Sequence, residues 1–357
     1  MFETCYLHIG TEKTGSTSIQ EFMRLNRETL RQQAFLYPSS LGPLNHRRMR
    51  NYAANSHTHL MGAEVREHPG GIAGFRTDVE RDLQQEVAAT DCQILAVSDE
   101  HFHSALTTRD EIGRLRSLLD PWCRTYRVVV YLRRQDMLSR SFHSEHIKVG
   151  NSDNEALFPR GITYYYDYRS LIENYESIFG TSSIVVRRYE APRLVNGDVI
   201  DDFAAATGLG DVTSWRRPER RNVALNGLAL RFLAELNKHV PQAVGGRPNP
   251  DRADLRPLLE AHYAGEGWPV CRRRALEFYQ QFAEINEWVR QRFFPDDNSL
   301  FEEDFSHYPE SDPKDAPSFG DAVSVAGVLW RNQVKSLQAI QSELTRLRAE
   351  INARESA

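Results

Sequence analysis

The segment from Cys5 to Ile19, Cys-Tyr-Leu-His-Ile-Gly-Thr-Glu-Lys-Thr-Gly-Ser-Thr-Ser-Ile, constrains the fold more than any other stretch of the chain. An apolar run of strand character, Tyr6–Ile9, enters a loop containing Gly10 and Gly15 and continues into a helix read over Thr17–Gln33. A strand followed directly by a helix opens a crossover connection, and crossovers build parallel sheets. The same alternation recurs through the first two hundred residues. Ile94–Val97, Val128–Leu132 and Ile184–Val186 read as further strands. Thr108 is placed as the N-cap of a helix over Arg109–Leu119, and Gly180 as the C-cap of one over Tyr168–Phe179. The expected fold class is α/β, a parallel β-sheet flanked by helices.

Beyond about residue 200 the pattern turns helical. Helices are expected over Asp198–Thr207 (ended by Gly208), Asn226–His239, Leu255–Tyr263 and Arg272–Phe293, with a loop over 245–250. A Pro-, Asp- and Ser-rich stretch from Tyr308 reads as a flexible linker over 308–320, which separates a domain over 1–307 from a terminal helix over 321–357. In that helix Trp330, Leu337, Leu344 and Ile351 are seven apart, with Ile340 and Leu347 between them. This is a heptad seam of three to four repeats, compatible with a helix docked on the domain or with a coiled coil between copies of the chain.

Several function classes are disfavoured. A formal net charge of -5 argues against non-specific nucleic-acid binding, which needs a basic excess to neutralise phosphates. No uncharged apolar run approaches the length that spans a bilayer, and the N-terminus lacks the basic and apolar regions of a secretory leader. The four cysteines show neither metal-ligand spacing nor a paired framework, and read as buried thiols. A soluble, cytoplasmic protein without a bound metal is the expectation.

The loop after the first strand has the chemistry of an anion cradle. Successive backbone N–H groups at a helix start face a negative charge, the helix end adds partial positive charge, and Ser and Thr add hydroxyls. Nucleotide triphosphatases place their lysine directly after the second glycine. Here Ser16 follows Gly15, and Lys13 lies two residues before it, so the cation is presented from within the loop.

At these residues the chain resembles the sulfotransferase family, whose 5′-phosphosulfate loop reads K-[ST]-G-[ST]-T; Lys13-Thr14-Gly15-Ser16-Thr17 satisfies each position. The resemblance implies 3′-phosphoadenosine 5′-phosphosulfate as donor, a P-loop-like sheet and no metal requirement. It implies that Lys13, Thr14, Gly15, Ser16, Thr17 and Ser18 hold the donor, with Lys13 also catalytic. The family's 3′-phosphate motif pairs a strand-terminal Arg with a Ser eight positions later, which Arg133 and Ser141 match; Arg134 is an alternative to Arg133. Tyr189-Glu190 resembles the element that lays an aromatic ring beside the adenine. Ser98-Asp99-Glu100-His101 follows a strand end, and Glu100 stands where bacterial-type glycan sulfotransferases carry their base, with His101 the competing candidate. Asn45-His46 lies in a loop where related enzymes meet substrate, against the alternative of a surface histidine. Arg220-Arg221-Asn222 is a further contact candidate. Phe293-Phe294-Pro295-Asp296, with Leu300-Phe301, resembles the closing segment of the bacterial glycan enzymes, so the implied acceptor is a hydroxyl on a glycan or glycoconjugate. Two rivals remain: a P-loop kinase or triphosphatase, with the strand-end acid on Mg²⁺, and a non-catalytic nucleotide-binding scaffold that acts through the terminal helix.

Overall fold

The computed structural model describes residues 1–55, 62–152, 157–219, 224–245, 247–311 and 318–355, the side chains of 353–355 excepted. Its first half runs β1 (Phe2–His8), α1 (Ser16–Leu25), α2 (Arg27–Gln32), β2 (Phe35–Leu36), α3 (Arg47–Ala53), α4 (Ala63–Arg66) and α5 (Gly71–Ala88). There follow β3 (Ile94–Ser98), α6 (His101–Ala105), α7 (Arg109–Leu119), β4 (Cys123–Leu132) and α8 (Gln135–Lys148). Then come α9 (Tyr168–Phe179), β5 (Ile184–Arg188), α10 (Val199–Thr207), α11 (Gly227–His239) and a short hairpin of β6 (Ala243–Val244) and β7 (Arg247–Pro248). The chain ends in α12 (Arg256–His262), α13 (Arg272–Gln280), α14 (Ala283–Phe293) and α15 (Phe319–Glu355).

The described residues divide into two units. The first comprises residues 1–139, 159–221 and 275–305. Its five parallel strands lie in the order β2-β3-β1-β4-β5. β1 sits in the middle, with His8 beside both Ser98 of β3 and Val129 of β4. After β3 the chain crosses over β1 to reach β4, so strand order reverses there; in open parallel sheets a crevice forms beyond the strand ends at such a point. Four consecutive apolar residues of β4, Val128–Tyr131, are fully buried, as expected for a central parallel strand covered on both faces. One apolar cluster joins α1 (Ile19, Phe22, Met23) to Tyr131 and to α10 (Ile200, Phe203).

Local chemistry sets the helix ends. Thr108 Oγ1 accepts from Glu111 N (3.3 Å) while Glu111 Oε2 accepts from Thr108 N (3.1 Å), a reciprocal cap that starts α7. Gly208, with φ of 73°, closes α10.

Two helices expected to be continuous are broken. Asn26 leaves helical geometry because its side-chain amide is claimed on both sides. Nδ2 donates to the carbonyls of Phe22 and Arg216, and Oδ1 accepts from Arg216 N. The helix of Thr17–Gln33 is therefore α1 and α2. The helix of Arg272–Phe293 is α13 and α14, parted at Phe282, whose buried ring packs on Phe278 and Tyr166.

The second unit comprises residues 140–158, 222–274 and 306–357, so the terminal helix groups with two earlier stretches of the chain. Its core gathers Ile147, Leu225, Leu230, Leu233, Leu259 and Val325. The start of the expected flexible linker is packed, since Tyr308 is buried and the Pro309 carbonyl accepts from Arg272 N. The rest of that linker, 312–317, lies outside the described residues. Among the described residues no helix is long and apolar enough to cross a membrane, and all four cysteines are free and buried.

Candidate active site

The β1–α1 loop is held from below by the sheet. Ile9 N donates to the Val129 carbonyl (3.0 Å), Thr11 N and Oγ1 donate to that of Tyr131, and Tyr131 N donates back to Gly10 O (2.7 Å). Within the loop, the hydroxyls of Thr14 and Ser16 both donate to the Thr11 carbonyl, at 2.6 and 3.2 Å, and both residues are buried. These two hydroxyls, expected to face a ligand, instead spend their protons shaping the loop. Thr17 is exposed and Ser18 half-buried. The first intrahelical bonds of α1 run from Ser18 N and Ile19 N to Gly15 O. The amides of Gly15, Ser16 and Thr17 thus precede the first helical donor, as at any helix start.

Lys13 has φ of 61°, a left-handed conformation uncommon for a non-glycine residue and costing about 1 kcal/mol or more. Its carbonyl accepts from Arg133 Nη1 at 2.8 Å, which ties the loop to the end of β4. The Arg133 guanidinium lies 5.5 Å from the centre of the Tyr189 ring, and Tyr189 N is bonded to the Leu132 carbonyl. Gly15 closes this arrangement. With φ of 78°, a Cβ there would fall 2.9 Å from Val199 Cγ1 and 3.1 Å from the Tyr189 ring. Lys13, Gly15, Arg133 and half-buried Tyr189, three separate stretches of sequence, therefore meet around one loop. Arg134 is used elsewhere: buried, it pairs with Asp136, donates to the Glu302 and Asp304 carbonyls and covers the Phe305 ring. Of the two neighbouring arginines, Arg133 is the one on the loop. Ser141 lies on α8, in the second unit.

The end of β3 adjoins the loop from the other side, for a Cβ on Gly10 would meet the Glu100 carbonyl at 2.8 Å. Glu100 accepts from Gln20 Nε2 at 2.5 Å. His101 Nδ1 is 3.2 Å from Glu12 Oε1 and 3.2 Å from Ser104 Oγ, and its Nε2 is 3.9 Å from Glu100 Oε1. A carboxylate only accepts, so the neutral ring that bonds Glu12 carries its proton on Nδ1 and presents the Nε2 lone pair. Burial alone would lower the His101 pKa. The hydrogen bond and charge of Glu12, with Asp99 and Glu100 nearby, outweigh burial and raise it. Burial would likewise raise the Glu12 pKa, but His101 and its neighbours hold it at about 2. Asp99 is wholly buried and raised, by burial first and by the Glu100 charge second; Arg50 stands 3.9 Å away and His101 N donates to it.

Glu12 and Gln20 were not singled out by the sequence reading. Glu12 left a signal, because a carboxylate inside an anion-binding loop opposes the ligand unless a cation neutralises it. His46 is neither a surface residue nor an open ligand contact. It is fully buried; Nδ1 accepts from Ser98 N (2.8 Å) and Nε2 donates to the Pro38 carbonyl (2.9 Å), with its pKa lowered to about 3 by burial. Nδ1 pins the loop before α3 to the end of β3, and Nε2 ties that loop back on itself at Pro38. Asn45 beside it is half-buried. Phe294 lies under the Arg188 guanidinium (4.2 Å), which also pairs with Asp297 (2.8 Å). Residues 220–223 lie outside the described residues, so Arg220, Arg221 and Asn222 are not placed.

Comparison with known proteins assigns no activity. No family model and no solved structure matches the chain. An uncharacterized protein of Archaeoglobus fulgidus is 26% identical over 212 residues, 57% of this chain and 55% of that protein. The chain thus spans little more than half of that relative's length.

Proposed function

We propose that the protein is a sulfotransferase that moves the sulfuryl group of 3′-phosphoadenosine 5′-phosphosulfate to an acceptor hydroxyl, on a glycan or glycoconjugate. The observation that carries this reading is the convergence on one loop of Lys13 and Gly15, Arg133 and Tyr189. Those residues were nominated separately by resemblance to three elements of one nucleotide site. The residues suit such a ligand. Glycine at 15 leaves room beside the Tyr189 ring, the helix start offers amide donors, and the Arg133 fork suits phosphate oxygens.

In the proposed reaction the acceptor oxygen attacks sulfur in line, forming the new S–O bond as the bond from sulfur to the bridging phosphate oxygen breaks. Lys13 stabilises charge growing on that leaving oxygen. His101 Nε2, oriented through Nδ1 by Glu12, takes the acceptor proton; Glu100, held by Gln20, lies beside it. The bisphosphate and the sulfate ester leave as products.

The test is calorimetric titration with adenosine 3′,5′-bisphosphate, then transfer of radiolabelled sulfate to a glycan panel, with and without a chelator. Binding, and transfer that persists in chelator, is expected. Lys13→Ala should still fold and lose about a hundredfold or more in kcat, the effect of removing one well-aimed charge stabiliser. No binding of the bisphosphate, or wild-type transfer by Lys13→Ala, would overturn the reading.

A further inference from the structure

The inward stripe of α1 is Ser16, Ile19, Gln20 and Met23, spaced as on an amphipathic helix and all buried. Three of the four have plain structural uses: Ser16 bonds the Thr11 carbonyl, and Ile19 and Met23 join the apolar cluster that holds Tyr131. Gln20 is only 1% exposed, at a place where a leucine would fill similar space with no hydrogen bonds to satisfy. Its amide nitrogen donates to Glu100 Oε2 (2.5 Å) and to Ser98 Oγ (3.3 Å), and Ser98 Oγ lies 2.8 Å from His8 Nδ1. Ser98 and His8 are buried too, with the His8 ring edge-on to Tyr131 and Phe203. His8 Nε2 has no hydrogen-bond partner among the described residues. A polar chain thus begins in the apolar core and ends on a half-buried carboxylate beside His101. A buried chain with a loose end costs stability, so its use lies at the Glu100 end.

A carboxylate only accepts, so Gln20 must turn its nitrogen, not its oxygen, toward Glu100. Ser98 favours the same orientation: whichever of Ser98 and His8 supplies the proton between them, Ser98 Oγ keeps a lone pair for the amide. With Oε2 held, Glu100 has Oε1 3.9 Å from His101 Nε2, while Glu12 Oε1 is 3.2 Å from Nδ1. The ring therefore has one carboxylate beside each nitrogen. We propose that Gln20 is a positioning residue for proton transfer, holding Glu100 as the counter-ion of His101 when the ring takes the acceptor proton at Nε2. The reaction itself rests on the sulfuryl-transfer reading. As the new S–O bond forms and the bridging S–O bond breaks, the acceptor O–H proton passes to Nε2, and Glu12 and Glu100 balance the imidazolium so made. Gln20 gains and loses no proton.

Proton NMR of the His101 ring in the full chain tests the placement without any substrate. Glu12 from the β1–α1 loop, Asp99 from the end of β3 and His103 from the same helix also act on this ring. Gln20→Met keeps the volume and removes both donors. It should lower the His101 pKa by about 1, the smaller end of what an opposite charge a few ångströms away supplies. In a Glu100→Gln background, where that charge is already gone, the same change should lower it no further. Gln20→Asn is the second variant, should the methionine chain not fold by circular dichroism; it keeps a buried amide but falls one methylene short of Glu100, and should lower the titration as well. An unmoved titration in a folded variant, or an equal fall in both backgrounds, would overturn the proposal. With labelled donor, Gln20→Met should lose about tenfold in kcat with the acceptor KM unchanged. A wild-type kcat there would overturn the positioning role and leave the reaction standing, whereas a wild-type protein that binds no adenosine 3′,5′-bisphosphate would overturn both.

Discussion

At the scale of single residues, the Glu12–His101 pair makes the sharpest prediction. Glu12 orients the ring and raises its pKa, so Glu12→Gln should lower the His101 pKa and shift the acid limb of the pH–rate profile downward. A drop in kcat of about tenfold should accompany it, from lost orientation and a weaker base, while affinity for the bisphosphate stays the same. Proton NMR of the His101 ring checks the first part; an unmoved titration in the variant would remove Glu12 from the positioning role. Gly15→Ala behaves differently. Its φ and the 2.9 Å approach to Val199 leave no place for a methyl group, so the loop must shift. Thermal unfolding and bisphosphate titration should show a loss of about 1–3 kcal/mol in stability together with lost binding.

At the scale of elements, the capping box of α7 is a clean case. Thr108→Ala should cost about 1 kcal/mol, read by urea unfolding, without touching the loop. Strands and caps were legible in the sequence because they rest on local chemistry: apolar runs ending in polar turns, Thr108 before Glu111, glycines after Phe179 and Thr207. What the sequence concealed depended on distant partners. Asn26 breaks a helix only because Arg216 comes from 190 residues away to bond it. β2 is two residues long and exists through its pairing with Ile94 and Leu95. The helix α5 was legible but overlooked, for Phe75, Val79, Leu83 and Val87 are spaced by four and all buried. At the site, Lys13, Gly15 and Arg133 could be picked from their motifs, whereas the inward turn of Thr14 and Ser16 and the burial of His46 follow from packing that no local pattern announces.

At the scale of the whole molecule, buried neutral histidines govern the response to acid. His8, His46 and His103 are fully buried, and burial lowers their pKa values to about 3, 3 and 4. Unfolded, each titrates near 6.5, so the stability they confer is complete above that value and is lost as pH falls toward the folded values. By pH 5 each costs about 2 kcal/mol. His101 has the opposite sign: its contribution is present below about 6.5 and is lost as pH rises through its raised value. Unfolding free energy should therefore fall steeply from pH 7 to pH 5, and a flat profile over that window would contradict the burial of these rings. A second consequence comes from where the β1–α1 loop is fastened. Its bonds to Val129 and Tyr131 run to the central strands, the part of a protein that opens last. The loop cannot melt ahead of the molecule, so a bound nucleotide should stabilise the first unit globally, by about 2.7 kcal/mol at a hundred times its Kd. The same nucleotide should slow amide exchange deep in the sheet, well away from any atom it touches.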